Sequence, residues 1–246
     1  MRHPSFKLIR FKQWFLAGIC TLFLFSGCAL WNEFFAEEEL TPAELMSKGM
    51  EDFNDGKFES ASEIFQQIKD RYPYSKSAIK AELKMADALY ERTLFDEAYD
   101  EYTKFEKLHP KNSSIPYVLF QKGMCHFSRV KTIDRTQSFT LKAKEEFERL
   151  IARYRRSPFA ERARRKVREC YIRLAGHEVY VGNFYFKMEK YQPAMHRYLY
   201  LIEHYPDVGQ YYEALEKIKI CKEKLAEQKE GKGVSWWGRL KSSVFD

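Results

Sequence analysis

Apolar and polar residues recur along this chain with the spacing of amphipathic helices, and a longer pattern returns four times. In the first copy, Ala61 is followed by Phe65, Tyr72 and Pro73, at offsets of 4, 11 and 12 residues. The pattern recurs after three further alanines: Ala98, Ala143 and Ala194. Self-similarity of this kind predicts a repeat of helix pairs stacked on one another.

The upstream halves of the copies agree as well. A small residue stands 12 positions before the alanine in three copies, as Gly49, Ala86 and Gly182. In the third copy, Gly123 precedes Ala143 by 20 positions, so the pattern indicates an insertion within residues 128–141. A small residue lets two helices approach closely, and we expect Gly49 and Ala61 to form such a pair. The proline ends the second helix. In the third copy, Arg155 replaces it and Pro158 comes three residues later.

These offsets predict an all-α fold, a right-handed superhelical solenoid of tetratricopeptide-like helix pairs with a C-terminal capping helix. Thr41-Pro42, with Glu44 in the first turn, marks the start of the first helix. The repeats are expected at residues 41–75, 77–110 and 115–157, followed by a long helix from Ala160 and a fourth repeat whose recognisable half is 178–206. A last helix is expected at 210–229. The alternative is an ordinary amphipathic bundle, in which the aromatic residues are merely core.

Residues 1–27 have the organisation of a cleaved signal peptide. Basic residues precede an apolar run at positions 14–25, which is 12 residues long, whereas a membrane-spanning helix needs ~20. The run ends in Phe25-Ser26-Gly27-Cys28, which resembles the bacterial lipobox, although Phe25 stands where leucine is usual. The sequence therefore predicts a lipid on Cys28. An ordinary signal peptide or an N-terminal anchor helix is the alternative.

After the predicted signal peptide, the sequence indicates four segments. Residues 28–40 form a lipidated tether, 41–157 the N-terminal repeats, and 158–230 the C-terminal repeat region with its capping helix. Residues 231–246 form a flexible tail containing Trp236 and Trp237, after a hinge at Gly231-Lys232-Gly233. Contact of the tail with a partner or a membrane, and disorder, both remain open. Ala29 follows the lipidated cysteine where enterobacterial inner-membrane lipoproteins carry aspartate, which favours the outer membrane.

Charge argues against a nucleic-acid partner. The net charge of +7 falls by four, to +3, when the signal segment is removed, because that segment holds four basic and no acidic residues. Export also takes the body out of the cytoplasm. The densest basic stretch lies within residues 153–173. It is either a docking face for an acidic partner or anionic envelope polymer, or a solvated helix face balanced by neighbouring glutamates.

No motif for catalysis, for a metal or for a cofactor other than the lipid is present in the sequence. Phosphate-binding glycine loops, HExxH, CxxC and GxSxG are all missing, so we expect a protein that is not an enzyme. Cys125, Cys170 and Cys221 are too widely spaced for a disulfide framework. We expect them to be small buried helix residues, although one pair could form in an oxidising periplasm.

Several local strings resemble one family. Residues 65–75 read FQQIKDRYPYS, the insertion contains Ile133-Asp134-Arg135-Thr136, and residues 173–206 read RLAGHEVYVGNFYFKMEKYQPAMHRYLYLIEHYP. Together with the lipobox and the repeats, they look like the BamD (ComL/YfiO) family of outer-membrane β-barrel assembly lipoproteins. The similarity covers about residues 20–230. The single helix after the fourth repeat and the tail with its two tryptophans depart from the family pattern.

The resemblance implies a scaffold of the β-barrel assembly (BAM) complex, lipid-anchored at the periplasmic face of the outer membrane. Its partners would be a POTRA domain of the barrel subunit BamA, other BAM subunits and unfolded barrel precursors. Arg197 matches a family arginine that pairs with an acidic POTRA residue, and Glu178 matches a family position nearby. Tyr72 lies in the region linked to precursor recognition, although its slot is also a core aromatic position of the repeat.

Two other functions remain open from sequence. Another periplasmic tetratricopeptide lipoprotein, such as a secretin pilotin or a cell-wall coordinating factor, would have the same repeats and lipobox. A helical cell-wall hydrolase would need a pair of carboxylates or a nucleophile, and the sequence shows no such constellation.

Overall fold

The computed structural model describes residues 39–206 and 208–244, with the backbone path alone for residues 231–244. Within these ranges the chain forms nine helices and no strand. Their bounds are α1 Pro42–Asn54, α2 Phe58–Arg71, α3 Lys76–Glu91, α4 Phe95–Leu108, α5 Ile115–Phe127, α6 Ser138–Arg153, α7 Pro158–Lys187, α8 Tyr191–His204 and α9 Tyr211–Val244. Each helix packs mainly on the next in sequence, which confirms an all-α solenoid.

The helices form four antiparallel pairs, which we call units. The first unit is α1–α2, the second α3–α4 and the third α5–α6; the fourth consists of the second half of α7 and α8. The first helix begins where the sequence predicts. The Thr41 hydroxyl accepts a hydrogen bond from the Glu44 amide at 3.3 Å, and the Glu44 carboxylate accepts one from the Thr41 amide at 2.8 Å. This reciprocal cap satisfies two amides that the first turn leaves free.

A small residue on the first helix of each unit makes room for an aromatic ring on the second. A Cβ atom on Gly49 would lie 2.6 Å from Cε1 of Phe65, and one on Gly182 would lie 2.5 Å from Cε1 of Tyr198. Ala61, the expected partner of Gly49, is fully buried one turn earlier on α2. The atoms nearest to a Cβ built on Gly49 or Gly182 belong to an aromatic ring, so each glycine makes room for a ring.

The polarity of this contact alternates from unit to unit. The ring is Phe65 in the first unit and Phe147 in the third, and the residue after the small position is Met50 or Met124. In the second unit the Tyr102 hydroxyl donates to Oδ1 of Asp87 at 2.7 Å. In the fourth, the Tyr198 hydroxyl donates to Oδ1 of Asn183, also at 2.7 Å. A buried hydroxyl thus appears only together with an acceptor at the facing position, as the cost of burying an unpaired polar group requires.

The turns between paired helices also repeat. Gly56, Thr93 and Glu189 take φ values of +77°, +63° and +58° before the second helix of units one, two and four. Glycine adopts this left-handed conformation without steric cost, whereas threonine and glutamate do not. The second helices end on residues with nearly identical backbone angles: Tyr72, His109, Tyr154 and Tyr205. The backbone therefore takes the same path at the end of each second helix, although the side chain there is not the same in every unit.

Helix α7 is 30 residues long and belongs to two layers. Its first half packs on α6 and α5, and its second half packs on α8. Residues 128–137, most of the expected insertion, connect α5 to α6 without helical structure. This loop touches α7, where the Nδ1 atom of His177 donates to the carbonyl oxygen of Ile133 at 2.5 Å. The insertion thus ties the third unit to the long helix.

Helix α9 covers α8 as the sequence predicts for a capping helix. Ala214, Ile218 and Cys221 are its buried residues on the side of α8. The backbone stays helical to Val244, through Gly231 and Gly233, where the sequence predicts a hinge and a flexible tail. A glycine inside a helix costs about 1 kcal/mol relative to alanine, so two glycines do not end a helix that is already formed.

Candidate partner-binding site on the C-terminal helices

Glu178 and Arg197, the two residues that the family resemblance assigns to partner binding, lie together in the fourth unit. Nη1 of Arg197 on α8 donates to Oε2 of Glu178 on α7 at 3.3 Å. The glutamate side chain is 11 % exposed and the arginine side chain is 43 % exposed. The buried carboxylate therefore fixes a guanidinium that a second carboxylate, from a partner, can still reach.

The fold itself does not require this ion pair. By the repeat offsets, Leu45 and Ile64 of the first unit occupy the positions of Glu178 and Arg197. Both are buried, at 5 % and 7 % exposure, in one apolar cluster. The same positions hold Glu82 and Glu101 in the second unit. The helix pairing therefore forms with several kinds of side chain at these positions, and an ion pair between them is not needed for it.

Exposed aromatic and apolar side chains also occur in the fourth unit. Tyr200 follows Arg197 by three positions on α8, on the same helix face, and is 37 % exposed. Tyr180 and Phe184 are 47 % and 55 % exposed and share a different face of α7, roughly 200–240° of rotation from Glu178. We call the ion pair and its neighbouring tyrosine the C-terminal surface: Glu178, Arg197 and Tyr200. Arginine and exposed aromatics are the side chains that dominate the energetics of protein interfaces.

A groove of about 380 Å³ lies beside this surface, between α7 and the chain that joins α8 to α9. Its lining consists of Arg164, Val167, Arg168, Tyr171, His204, Tyr205, Pro206 and Val208. The rings of Tyr171 and Tyr205 are 5.8 Å apart. Burial raises the pKa of both phenols, and hydrogen bonding of Tyr171 to Glu148 adds to the effect. Both remain neutral at physiological pH, so the groove combines uncharged aromatic walls with two arginines.

Tyr72 lies in the first unit, three units before Arg197. It ends α2 and its hydroxyl donates to the carbonyl oxygen of Leu40 at 3.1 Å. His109, Tyr154 and Tyr205 take the same cap position in the other units. The structure therefore gives Tyr72 a structural place in the repeat, and its role in precursor recognition stays a prediction.

The basic stretch at 153–173 is largely paired or stacked. Arg164 contacts Glu161 at 2.8 Å and Lys166 contacts Glu169 at 2.8 Å. The guanidinium of Arg162 lies 4.4 Å from the ring centroid of Phe120. These local contacts favour the solvated, charge-balanced face over a dedicated docking site.

The remaining predicted residues fall into two groups. Cys125, Cys170 and Cys221 are buried and unpaired, and burial raises the pKa of Cys125 and of Cys170 to about 12, which confirms them as inert core residues. Cys28, the signal segment and most of the tether lie outside the described residues. Among the helices that are described, none is both long enough and apolar enough to cross a bilayer.

Sequence reasoning did not find the contact between the insertion and α7. Ile133 lies against Gly176, and its carbonyl accepts from His177, the neighbour of Glu178. Ile133 remains 41 % exposed. The segment Ile133-Asp134-Arg135-Thr136 resembles a family feature, but no repeat rule relates this loop to a helix residue 44 positions away.

Comparisons with known proteins agree with this architecture. A family model, YfiO, described as outer membrane lipoprotein, matches residues 38–234. Outer membrane protein assembly factor BamD of Rickettsia prowazekii (strain Madrid E) is 28 % identical over 72 % of this chain and 70 % of the relative. Its namesake in Vibrio cholerae serotype O1 is 25 % identical over 82 % of this chain and 87 % of the relative.

Solved structures to which the chain is similar include the TPR2AB-domain:pHSP90 complex of yeast Sti1, with a TM-score of 0.43 at 14 % identity over 75 % of this chain and 70 % of that one. A tetratricopeptide repeat protein from Parabacteroides merdae has a TM-score of 0.40 at 15 % identity over 76 % and 75 %. The family match, which spans most of the chain and all of its repeats, shows that this protein belongs to the YfiO family of outer membrane lipoproteins.

Proposed function

We propose that this chain is a non-enzymatic scaffold of outer-membrane protein assembly that docks on a POTRA domain of BamA through its C-terminal surface. Membership of the YfiO family supports an outer-membrane lipoprotein. Relatives that are similar over most of their length carry the name outer membrane protein assembly factor BamD. The proposed mechanism is binding: one partner is held by the fourth unit while the rest of the solenoid remains open to others.

The observation that carries the proposal is the ion pair between Glu178 and Arg197. It stands where the first unit has Leu45 and Ile64, and it holds a half-exposed guanidinium on the helix face that also carries the exposed Tyr200. An acidic residue of the partner would complete a carboxylate–guanidinium–carboxylate arrangement, and Tyr200 would supply apolar area beside it.

The anchor and the precursor site complete the proposal. A lipid on Cys28 would hold the solenoid at the periplasmic face of the outer membrane, with 13 residues between the lipidated cysteine and α1. The N-terminal units, which include Tyr72, would receive extended segments of unfolded barrel precursors along the solenoid. Other BAM subunits would use surfaces outside the fourth unit.

The decisive experiment is charge reversal at Arg197. Arg197→Glu places two carboxylates together and should weaken binding to the purified POTRA domains of the same organism's BamA by roughly 30-fold or more, since charge pairs buried in interfaces are worth ~2 kcal/mol or more. Isothermal titration calorimetry measures the affinity, and far-ultraviolet circular dichroism checks that the helices persist.

Lys80→Glu is the matched control, because Lys80 is an exposed lysine on α3, away from the C-terminal surface. It changes the net charge by the same amount and should leave the affinity within about twofold. If Arg197→Glu binds as tightly as the control, the docking site is not on this surface. If neither variant nor the unaltered chain binds the POTRA domains, the proposed partner is wrong.

A further inference from the structure

Helix α9 extends well beyond the solenoid that it caps. Its buried residues end with Cys221, and residues 226–230 are exposed. Nε2 of Gln228 still reaches the carbonyl oxygen of Glu189 in the α7–α8 turn, at 3.5 Å. The helical backbone then continues to Val244. At 1.5 Å per residue, the part beyond Gln228 projects about 24 Å.

The charge of α9 changes where the helix leaves the body. Residues 211–230 carry five lysines and five glutamates, so this part is balanced. Residues 231–244 carry three cations and no acidic residue; the cations are Lys232, Arg239 and Lys241. The projecting part of the helix is therefore basic, whereas the part packed on α8 is neutral.

The apolar positions of the projecting part fall on one side. With 100° of rotation per residue, positions 236, 237, 240 and 244, four of the five apolar positions, lie within about 100° of arc. They are the two tryptophans, a leucine and a valine. Arg239 and Lys232 occupy positions at one edge of this arc and Lys241 occupies one at the other edge, with Val234 a further ~20° beyond Lys241. A tryptophan-bearing apolar arc with cations at both edges is the pattern of a helix that lies in a membrane interface.

We propose that residues 231–244 form a membrane-binding helix that lies in the headgroup region of an anionic lipid surface. The segment is too short to be stable as a separate helix, but as the continuation of α9 it is already ordered and needs no further folding. The family match ends at residue 234, before Trp236, so this device is an addition to the shared fold. The inference does not depend on the docking of BamA.

A lipid surface accounts for the pattern better than a protein partner does. Paired tryptophans prefer the boundary between water and hydrocarbon, and each cation near an anionic surface adds to the attraction without any need for a specific geometry. The predicted lipid on Cys28 precedes the first unit, and the projecting helix follows the last one. Two attachments at opposite ends would lay the solenoid along the membrane instead of letting it swing from one tether.

The test uses the chain from residue 29, which keeps every described helix and has no lipid. Trp31→Phe leaves Trp236 and Trp237 as the only tryptophans, since the fourth, Trp14, is in the signal segment. Vesicles of phosphatidylglycerol with phosphatidylcholine should shift their emission to shorter wavelength and co-sediment the protein. Vesicles of phosphatidylcholine alone should bind at least about fivefold more weakly for each cation that contributes.

Variants define the surface. Trp236→Ala with Trp237→Ala should weaken co-sedimentation about tenfold or more, and Arg239→Gln about fivefold. Tyr212→Ala is the control, because Tyr212 is an aromatic on the same helix and is 80 % exposed; it should bind as the unaltered chain does. Circular dichroism checks the helix content of each variant.

Three results would overturn the proposal. One is an emission spectrum that anionic vesicles leave unchanged. Another is equal binding by the double tryptophan variant and the Tyr212→Ala control. The third is an emission shift on adding purified POTRA domains, with none on adding vesicles, which would assign the segment to a protein partner.

Discussion

The first and the fourth units place different chemistry at the same backbone positions. Leu45 and Ile64 are buried in one apolar cluster, whereas Glu178 and Arg197 form an ion pair that is open on the arginine side. Both units keep the same contact between a glycine and an aromatic ring, and the same left-handed turn. This contact and the turn therefore specify the fold. The positions of Leu45 and Ile64, or of Glu178 and Arg197, are free to vary with function.

Energetics support this division. An isolated buried charge is costly, and a buried ion pair is at best about as stable as an apolar pair of similar size. A sequence selected only for stability has no reason to replace a leucine–isoleucine contact by glutamate and arginine. The first unit thus serves as an internal reference for what the fourth unit would look like without the proposed partner-binding role.

The largest effect should come from moving the charge into the first unit. Leu45→Glu buries a carboxylate that has no partner, and we expect the free energy of unfolding to fall by about 3–5 kcal/mol. Adding Ile64→Arg rebuilds the pair of the fourth unit and should recover part of this loss. Urea denaturation followed by circular dichroism measures the free energy of unfolding of the unaltered chain, of each single variant and of the double variant.

Lys48→Glu, an exposed change on the same helix, is the control and should cost no more than about 0.5 kcal/mol. If the double variant is as unstable as the sum of the two single changes, the positions are not geometrically equivalent, and the comparison between the units fails.

The reverse exchange should have a smaller effect. Arg197→Ile alone leaves Glu178 buried without its counter-charge and should lower the free energy of unfolding by about 2 kcal/mol. Glu178→Leu together with Arg197→Ile copies the first unit and should return stability to that of the unaltered chain or raise it by ~1 kcal/mol. The same protein should fail to bind POTRA domains.

A stable double variant that still binds would separate the ion pair from partner recognition. A double variant that remains as unstable as Arg197→Ile would show that the pair is needed for packing after all.

The smallest effect concerns the turns that the units share. Thr93→Gly and Glu189→Gly each relieve a left-handed residue that glycine tolerates, and should raise the midpoint of thermal unfolding, with a gain of about 0.5–1 kcal/mol. Gly56→Ala makes the opposite change and should cost about 1 kcal/mol. If Gly56→Ala is neutral, the turn of the first unit is not held to the same backbone as the others.

Much of the fold follows from sequence because its determinants are local and repeated. The offsets from Ala61 to Phe65 and Tyr72 are properties of single helices and their caps, so four copies reveal them. The contact between Gly49 and the ring of Phe65 does not follow from the spacing, because spacing shows which residues recur and not how far a side chain reaches. Glu178 and Arg197 came from resemblance, yet comparing the positions 16 before and 3 after each alanine would have set them apart from Leu45 and Ile64.

Contacts between distant segments could not be predicted in this way. The loop that carries Ile133 meets His177 because the solenoid brings the third unit against α7, and no periodic rule describes that meeting. The continuation of α9 past Gly231 differs from the sequence prediction for another reason. The two glycines predict a hinge, whereas an existing helix propagates through glycines at modest cost.

The length of α7 has a consequence for how the protein opens. In a solenoid whose units touch only their neighbours, each unit can unfold almost separately, so end units fray first. Here one unbroken helix serves both the third and the fourth units, and the loop at Ile133 fastens them again. The C-terminal half should therefore exchange its amide hydrogens as one cooperative block, while α1 and α2 open on their own. The end that is proposed to hold a partner is thus expected to be the rigid one, and the end next to the predicted tether is the one expected to open for an incoming chain.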